Sequence, residues 1–218
     1  QWQRGLPSST NFTSAYSGTK AWVTEPTSDY QTEATEYLYT PFFNMPNTAD
    51  TIYIEFMQKM QAQQSLAYGY MQYSTNGVHW IDLGYISYAN SQNWYANNIN
   101  GKHVWSNQNN SWVQSRLGLD PSVFNLGSDV QFRFVFRSLT AISTLDGWMI
   151  DDFNVTLPKL PNDAGVTAIL SPDTSSIIGS TNNVEVTIHN YGSLSLTSIP
   201  VAYKIGNQSE VVEAWTGT

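Results

Sequence analysis

The chain has 218 residues, no cysteine, a charged fraction of 12% and a net charge of −8. The lack of cysteine excludes a disulfide framework, and the scattered positions of the nine basic residues exclude the basic patch that nucleic-acid binding requires. No apolar run is long enough to insert into a membrane, and the low charge with 14% aromatic residues favours a secreted or cell-surface β protein.

Apolar and polar residues alternate along the chain in a pattern that predicts strands rather than helices. The stretch "TIYIEFMQKM" (residues 51–60) alternates at period two, and "LAYGYMQYSTNGVHWIDLG" (66–84) reads as two strands joined by an Asn-Gly turn. In "DVQFRFVFRSL" (129–139) the three phenylalanines share one face, and Arg133 and Arg137 lie on the other. These segments predict a half-buried antiparallel sheet.

Residues 88–112 differ from the rest because they are rich in asparagine and tryptophan and contain no acidic residue. We expect long loops between short strands here, and such loops often bind ligands. Sugar rings stack on tryptophan and tyrosine, while side-chain amides bond their hydroxyl groups. The candidate ligand-binding residues are Trp94, Tyr95, Trp105, Trp112, Asn97 and Asn98.

The exposure of these aromatic side chains separates three hypotheses. A coplanar exposed set favours a sugar ligand, and a flat mixed apolar patch favours a protein ligand. Full burial favours a spacer, in which Trp105 and Trp112 only pack the loops onto the sandwich.

A boundary is predicted in "LPKLPNDAG" (157–165), where two prolines and a glycine interrupt the strand pattern. We expect one domain over residues 1–158 and an immunoglobulin-like sandwich over residues 162–218. About 57 residues are too few for a complete sandwich of that type, so the second domain is expected to be truncated and the chain to be part of a longer protein.

Two adjacent aspartates occur in "LDGWMIDDFNV" (145–155). Strict alternation places Asp151 on the same face as Phe153, which is the expected core face, and an inward carboxylate costs several kcal/mol unless it is neutralised. An ion pair with Arg133 or Arg137, or capping of backbone amides, would neutralise it. A bound calcium ion would also neutralise it, because calcium binds carboxylate and carbonyl oxygens. Zinc is not expected, because the three histidines are far apart in the sequence.

Five segments occur in an order that resembles a known pattern: "AYSGTKAW" (15–22), "EYLYTPFFNM" (36–45), "MQYSTNGVHWIDLG" (71–84), "DVQFRFVFRS" (129–138) and "DGWMIDDFNV" (146–155). Together they resemble the jelly-roll superfamily of MAM domains, reelin-type repeats and the cleaved adhesin domains of gingipain-like bacterial proteins. The segment that follows resembles the CARDB type of immunoglobulin-like repeat. Such tandems are found in large secreted proteins of Bacteroidetes-like bacteria.

The resemblance implies an all-β fold, a jelly-roll sandwich followed by a partial immunoglobulin-like sandwich. It also implies a structural calcium, with Asp151 as the leading ligand, Asp152 and Asp146 as secondary ligands, and Glu25 as the acidic partner from the early part of the chain. The chain departs from the pattern in three ways. It lacks the cysteines of MAM domains, its hairpin turn has Asn76 where the bacterial relatives often have aspartate, and Leu139 follows Ser138 where an aspartate is common.

Catalytic motifs are absent from the sequence: there is no HExxH, no GxSxG, no Walker loop and no cysteine nucleophile. The function expected is that of a non-catalytic accessory module of a larger secreted protein, which itself can be a hydrolase. Its expected partners are an extracellular polysaccharide or a surface protein, and the other domains of the parent chain. The alternatives are a structural spacer or processing domain beside a secreted protease, and a protein-binding adhesin.

Overall fold

The computed structural model describes residues 1–45, 51–119, 128–140, 145–156, 159–172 and 183–217. The chain divides into two compact units, Gln1–Leu157 and Pro158–Thr218. Strands are the regular elements of both units, and no helix occurs in the described ranges. Within those ranges there is accordingly no helix that could cross a membrane.

Twelve strands occur in the described ranges of the first unit. They are β1 (Gln3–Gly5), β2 (Ala21–Val23), β3 (Thr35–Asn44), β4 (Ile52–Gln61), β5 (Ala67–Ser74), β6 (Ile81–Asp82), β7 (Ser91–Gln92), β8 (Asn97–Ile99), β9 (Lys102–Val104), β10 (Gln108–Leu119), β11 (Asp129–Ser138) and β12 (Gly147–Thr156).

Two antiparallel sheets contain most of these strands. The larger sheet has the order β1-β2-β12-β4-β10-β7, and the smaller has the order β3-β11-β5-β6, while β8 and β9 form a separate hairpin. The long strands β3, β4 and β5 alternate between the sheets, as do β10, β11 and β12, so the chain crosses the sandwich repeatedly in the manner of a jelly roll. The predicted all-β sandwich is confirmed.

The core lies between the two sheets. Phe56 of the larger sheet meets Phe134 of the smaller sheet with ring centroids 5.0 Å apart, and Phe134 also contacts Trp148 at 5.6 Å. The alternating residues Ile52 and Ile54 are fully buried beside Phe56, as the period-two pattern predicts. Phe132 and its two partners on β11 are at most 2% exposed, so the predicted face of that strand is confirmed.

A second, smaller apolar cluster covers the outer face of the larger sheet. Phe12, from the segment between β1 and β2, packs there with Ala21, Val23 and Met149. Trp112 of β10 packs against the same cluster. The outer face of the larger sheet is therefore partly occupied by the chain itself.

The described part of the second unit contains four strands in two antiparallel pairs. They are β13 (Ala164–Ser171), β14 (Glu185–Asn190), β15 (Ser198–Tyr203) and β16 (Val211–Thr216), and β13 pairs with β14 while β15 pairs with β16. Several large apolar side chains of this unit are exposed, including Ile169 at 70% and Trp215 at 41%. The partial immunoglobulin-like sandwich expected for this unit stays a prediction.

Candidate functional site

The loop aromatics predicted to bind a ligand lie in the core. Trp94 is 2% exposed, Tyr95 is 6% exposed and Trp105 is 3% exposed. Trp105 contacts both Phe56 and Trp148 with centroids 5.7 and 5.5 Å apart. The expected exposed platform is therefore wrong for these three residues. Their segment folds back over the sandwich because Trp105 forms a backbone bridge to Gly69 of β5.

The polar atoms of buried aromatic side chains need hydrogen-bond partners, and those of Trp94, Tyr95 and Trp105 have such partners. The indole nitrogens of Trp94 and Trp105 donate to the carbonyls of Leu83 and Asn93 at 3.1 and 2.9 Å. The Tyr95 hydroxyl donates to the Leu83 carbonyl at 2.9 Å. Burial raises the pKa of the Tyr95 phenol far above its ordinary value, so this side chain stays neutral.

The remaining predicted ligand residues are also used by the fold. Trp112 is half-buried against Tyr16, with centroids 5.8 Å apart. The side-chain oxygen of Asn97 accepts from the Ser106 amide at 3.2 Å, and that of Asn98 accepts from the Gly101 amide at 3.0 Å. These two asparagines hold the β8–β9 hairpin and the residues next to it.

Tyr95 and Trp105 nevertheless line a cavity of about 280 Å³ that opens on the protein surface. Its other lining residues are Gln58, Met60, Asn93, Ala96, Asn107, Asn109 and Val113. None of these described lining residues is charged. The volume lies at the lower limit of small-molecule sites, so the cavity has room for one small neutral group.

The aspartate pair lies at a β-bulge in β12. Asp151 pairs with Met57 of β4 and Asn154 pairs with Glu55, so two residues of β12 face a single residue of β4 between them. Asp152 occupies this bulge with φ at 46°, a left-handed conformation that aspartate tolerates better than most residues.

The bulge reverses the alternation that the sequence predicts. Trp148 and Ile150 face the core before the bulge, and Phe153 faces it afterwards. Met149 belongs instead to the cluster on the outer face, and Asp151 shares that direction. The expectation that Asp151 faces the core with Phe153 is therefore wrong, because one inserted residue exchanges the two faces.

On the outer face, the aspartates bind the segment between β1 and β2. Asp151 Oδ2 accepts from the backbone amides of Tyr16 and Ser17 at 2.9 and 3.1 Å. The Ser17 hydroxyl donates to Asp152 Oδ1 at 2.6 Å. Asp146, which is 2% exposed, accepts from the amides of Asn11 and Phe12 with Oδ2. Capping of backbone amides is thus the role that the structure gives Asp151.

The four predicted calcium ligands do not meet at one point. Asp151 lies five positions after Asp146, which is about 16 Å along an extended chain. Glu25 contacts neither and interacts with the amino group of Gln1, which also lies 2.9 Å from Glu36. The described residues include no cluster of three or more acidic, histidine or cysteine side chains that could hold a metal. The described residues therefore do not bring the four predicted ligands together at one point, and the calcium site stays a prediction.

The outer face of the smaller sheet presents a different set of side chains, which we name the arginine–aromatic patch. It consists of Tyr37 and Tyr39 on β3, Gln72 on β5, Arg133 on β11, and Trp80, which precedes β6. The strand register places Tyr39 and Gln72 directly opposite Arg133 from its two sides. Tyr37 is 43% exposed and Tyr39 is 50% exposed, so the patch faces solvent.

Arg133 is held at the centre of this patch by stacking and hydrogen bonds. Its guanidinium carbon lies 4.4 Å from the Tyr37 ring centroid and 4.1 Å from that of Trp80. Nε and Nη2 donate to the Gln72 side-chain oxygen at 2.8 and 2.6 Å, and Nη1 donates to the Tyr39 hydroxyl at 3.3 Å. Cation–π contacts stabilise by about 0.5–2 kcal/mol each, so the guanidinium is ordered without any ligand.

Sequence reasoning missed this patch although part of the signal was present. The alternation of β11 places Arg133 outside, and the two-residue spacing of Tyr37 and Tyr39 places both on one face of a strand. The pairing of β3 with β11 joins residues about ninety positions apart, and no local pattern specifies it. Trp80 lies in a segment without strand alternation, and it is half-buried beside Tyr39 and Arg133 on the outer face.

Comparison with known proteins finds no family model that matches the chain and no curated protein that is similar to it. The resemblance to jelly-roll adhesin and MAM domains therefore rests on the sequence segments quoted above.

Proposed function

We propose that the first unit is a non-catalytic polysaccharide-binding module of a secreted protein and that it binds through the arginine–aromatic patch. The observation on which this proposal rests is a guanidinium ordered between the exposed Tyr37 ring and the half-buried Trp80 ring on the outer face of the smaller sheet. The module would work beside the other domains of its parent chain.

The patch has the two kinds of groups that bind sugars. Tyr37 and Tyr39 present exposed ring surface for the C–H faces of a sugar, and their centroids lie 6.1 Å apart with an angle of 31° between the planes. Arg133, Gln72 and the tyrosine hydroxyls supply polar atoms beside the rings for sugar hydroxyls. A sheet holds these groups more rigidly than the loops predicted from the sequence, and little ordering is then required on binding.

Two alternatives compete with this proposal. An adhesin that binds protein would also use tyrosine, tryptophan and arginine, which dominate protein interfaces. The exposed Phe42, at 47%, adds apolar surface to the same sheet and favours this alternative. A structural spacer would need no exposed patch. The burial of Trp94 and Trp105 agrees with this second alternative.

The first test is a binding screen of the purified chain against soluble and insoluble polysaccharides, with Tyr37→Ala and Tyr39→Ala in parallel. Each substitution removes exposed ring surface, and we expect an affinity loss of about 1–2 kcal/mol, five- to thirtyfold, because anchors of this type dominate binding. The matched control is Tyr191→Ala, which removes a tyrosine of similar exposure, 48%, from the second unit.

The two outcomes separate the alternatives. Binding that is lost in the Tyr37 and Tyr39 variants and retained in the Tyr191 variant, at an unchanged melting temperature, supports the proposal. Absence of binding across neutral and acidic polysaccharides would exclude it and leave the spacer and the protein-binding adhesin.

A further inference from the structure

We infer that the ligand of the arginine–aromatic patch is an anionic polysaccharide, whose carboxylate or sulfate groups bind Arg133 and Arg137. This inference rests on the proposed function and names the chemical class of its ligand.

The hydrogen bonds of Arg133 leave one edge of the guanidinium available. A guanidinium has five N–H groups, and three of them are used, two by the Gln72 oxygen and one by the Tyr39 hydroxyl. One N–H group therefore remains on each terminal nitrogen. Such a pair matches the two oxygens of a carboxylate or sulfate, and the bidentate contact is among the stronger polar contacts in proteins.

The charges near Arg133 also favour an anion. Arg137 lies four residues further along β11 on the same face and is exposed. Among the described residues, neither arginine forms an ion pair. Asp82, the acidic residue bonded to Gln72, is paired with Lys102 at 2.6 Å. Lys102 and Asp82 offset each other in charge, so Arg133 and Arg137 are the described basic residues without an ion pair on this face, and Asp129 at the start of β11 accepts a hydrogen bond from Asn44.

The spacing indicates a polymer rather than a small anion. Arg133 and Arg137 are about 13 Å apart along the strand, at about 3.3 Å per residue. A small anion bound to the Arg133 guanidinium does not span this backbone separation. A polysaccharide with repeated acidic groups can reach both while its rings stack on Tyr37 and Tyr39.

Two matched pairs of probes test the inference with the whole chain. Polygalacturonate is compared with its methyl ester, and dextran sulfate is compared with dextran, because within each pair the charge is the main difference. We expect at least about tenfold tighter binding of the acidic member of one pair, and weaker binding as salt rises from about 0.05 to 0.5 M, because salt screens charges.

Substitutions locate the anion on the patch. Arg133→Gln and Arg133→Lys should both reduce binding of the acidic probe about tenfold or more, since lysine keeps the charge but lacks the paired N–H groups. Arg137→Gln should reduce it less, because this side chain makes no described stacking contact that orders it. Arg4→Gln, on β1 of the larger sheet, removes the same charge elsewhere and should leave binding unchanged.

Each other outcome overturns the inference in a recognisable way. Equal binding of acidic and neutral members, lost in Tyr37→Ala, excludes the anionic ligand and leaves the proposed function intact. Binding of poly-glutamate as tight as that of the polysaccharides identifies an acidic protein as the ligand. Loss of binding in Arg4→Gln shows a nonspecific charge effect. Absence of binding to all probes excludes both the inference and the proposed function for these ligand classes.

Discussion

At the scale of single residues, three carboxylates attach a long segment to the sheet behind it. Asp146 and Asp151 each accept two backbone amides from residues 11–17, more than 130 positions earlier in the chain. Hydrogen bonds to a charged acceptor are stronger than those between neutral groups. The contacts of Asp146 are buried, whereas those of Asp151 are exposed, so the two residues should differ in their contribution to stability.

We predict that Asp146→Ala lowers the free energy of unfolding by about 2 kcal/mol or more, because it leaves backbone amides without a partner in a buried site. Asp151→Ala should lower it by about 1 kcal/mol, since water can replace the carboxylate there. Urea unfolding followed by tryptophan fluorescence measures both, as the first unit contains seven of the eight tryptophans. Asp129→Ala, which removes an exposed side-chain hydrogen bond to Asn44, is the control. Equal effects of all three substitutions would contradict the anchoring role of Asp146.

At the scale of strands, one glycine on β5 permits the aromatic core that the asparagine-rich segment completes. Gly69 exchanges two backbone hydrogen bonds with Trp105, at 2.8 and 2.9 Å. A Cβ atom at Gly69 would lie 2.6 Å from the Trp148 ring and 2.9 Å from Met60. The absence of a side chain is therefore required where two tryptophans approach β5.

We predict that Gly69→Ala lowers the free energy of unfolding by about 1–3 kcal/mol through overpacking and also changes the fluorescence of the native state, because Trp148 and Trp105 must shift. Thermal melting and emission spectra measure these effects. Gly5→Ala is the matched control, since nothing lies within 4 Å of a Cβ atom at that position. A Gly69→Ala protein with unaltered melting and emission would show that the core is looser than these contacts imply.

At the scale of the whole first unit, the two outer faces of the sandwich differ. The face of the larger sheet is partly covered by the segment between β1 and β2, with Phe12 and Trp112 packed there. The face of the smaller sheet keeps Tyr37, Tyr39 and Arg133 open to solvent or partly so. This difference is the reason that we propose ligand binding at the smaller sheet.

We predict that the first unit stays folded in excess chelator, and an unchanged melting temperature would exclude the calcium site that is still predicted for Asp151 and Asp152. The Asp146 and Asp151 carboxylates already accept backbone amides, so the first unit does not require calcium to neutralise them. Differential scanning calorimetry with and without chelator, together with elemental analysis, is the measurement. A lower melting temperature that added calcium restores would instead establish the calcium expected from the family resemblance, since a ligand at 100 times its dissociation constant adds about 2.7 kcal/mol.

Period-two patterns predicted β4 and β11 and their buried faces. The alternation in residues 51–60 and 129–139 specified β4 and β11, with Phe56 and Phe134 inside, because an extended chain turns successive side chains to opposite faces. The direction of Asp151 was not predictable in this way, because a single bulge residue reverses the alternation and leaves no clear mark in the sequence.

The sequence by itself therefore determined the all-β class, the main strands and the chemistry of the residues available. Only the tertiary structure decided which aromatic side chains are exposed. Trp94 and Trp105 resemble loop residues in the sequence, but hydrogen bonds to distant backbone groups bury them. Tyr37 and Arg133 meet because β3 pairs with β11, and such long-range pairing depends on the packing of the entire sandwich rather than on local sequence.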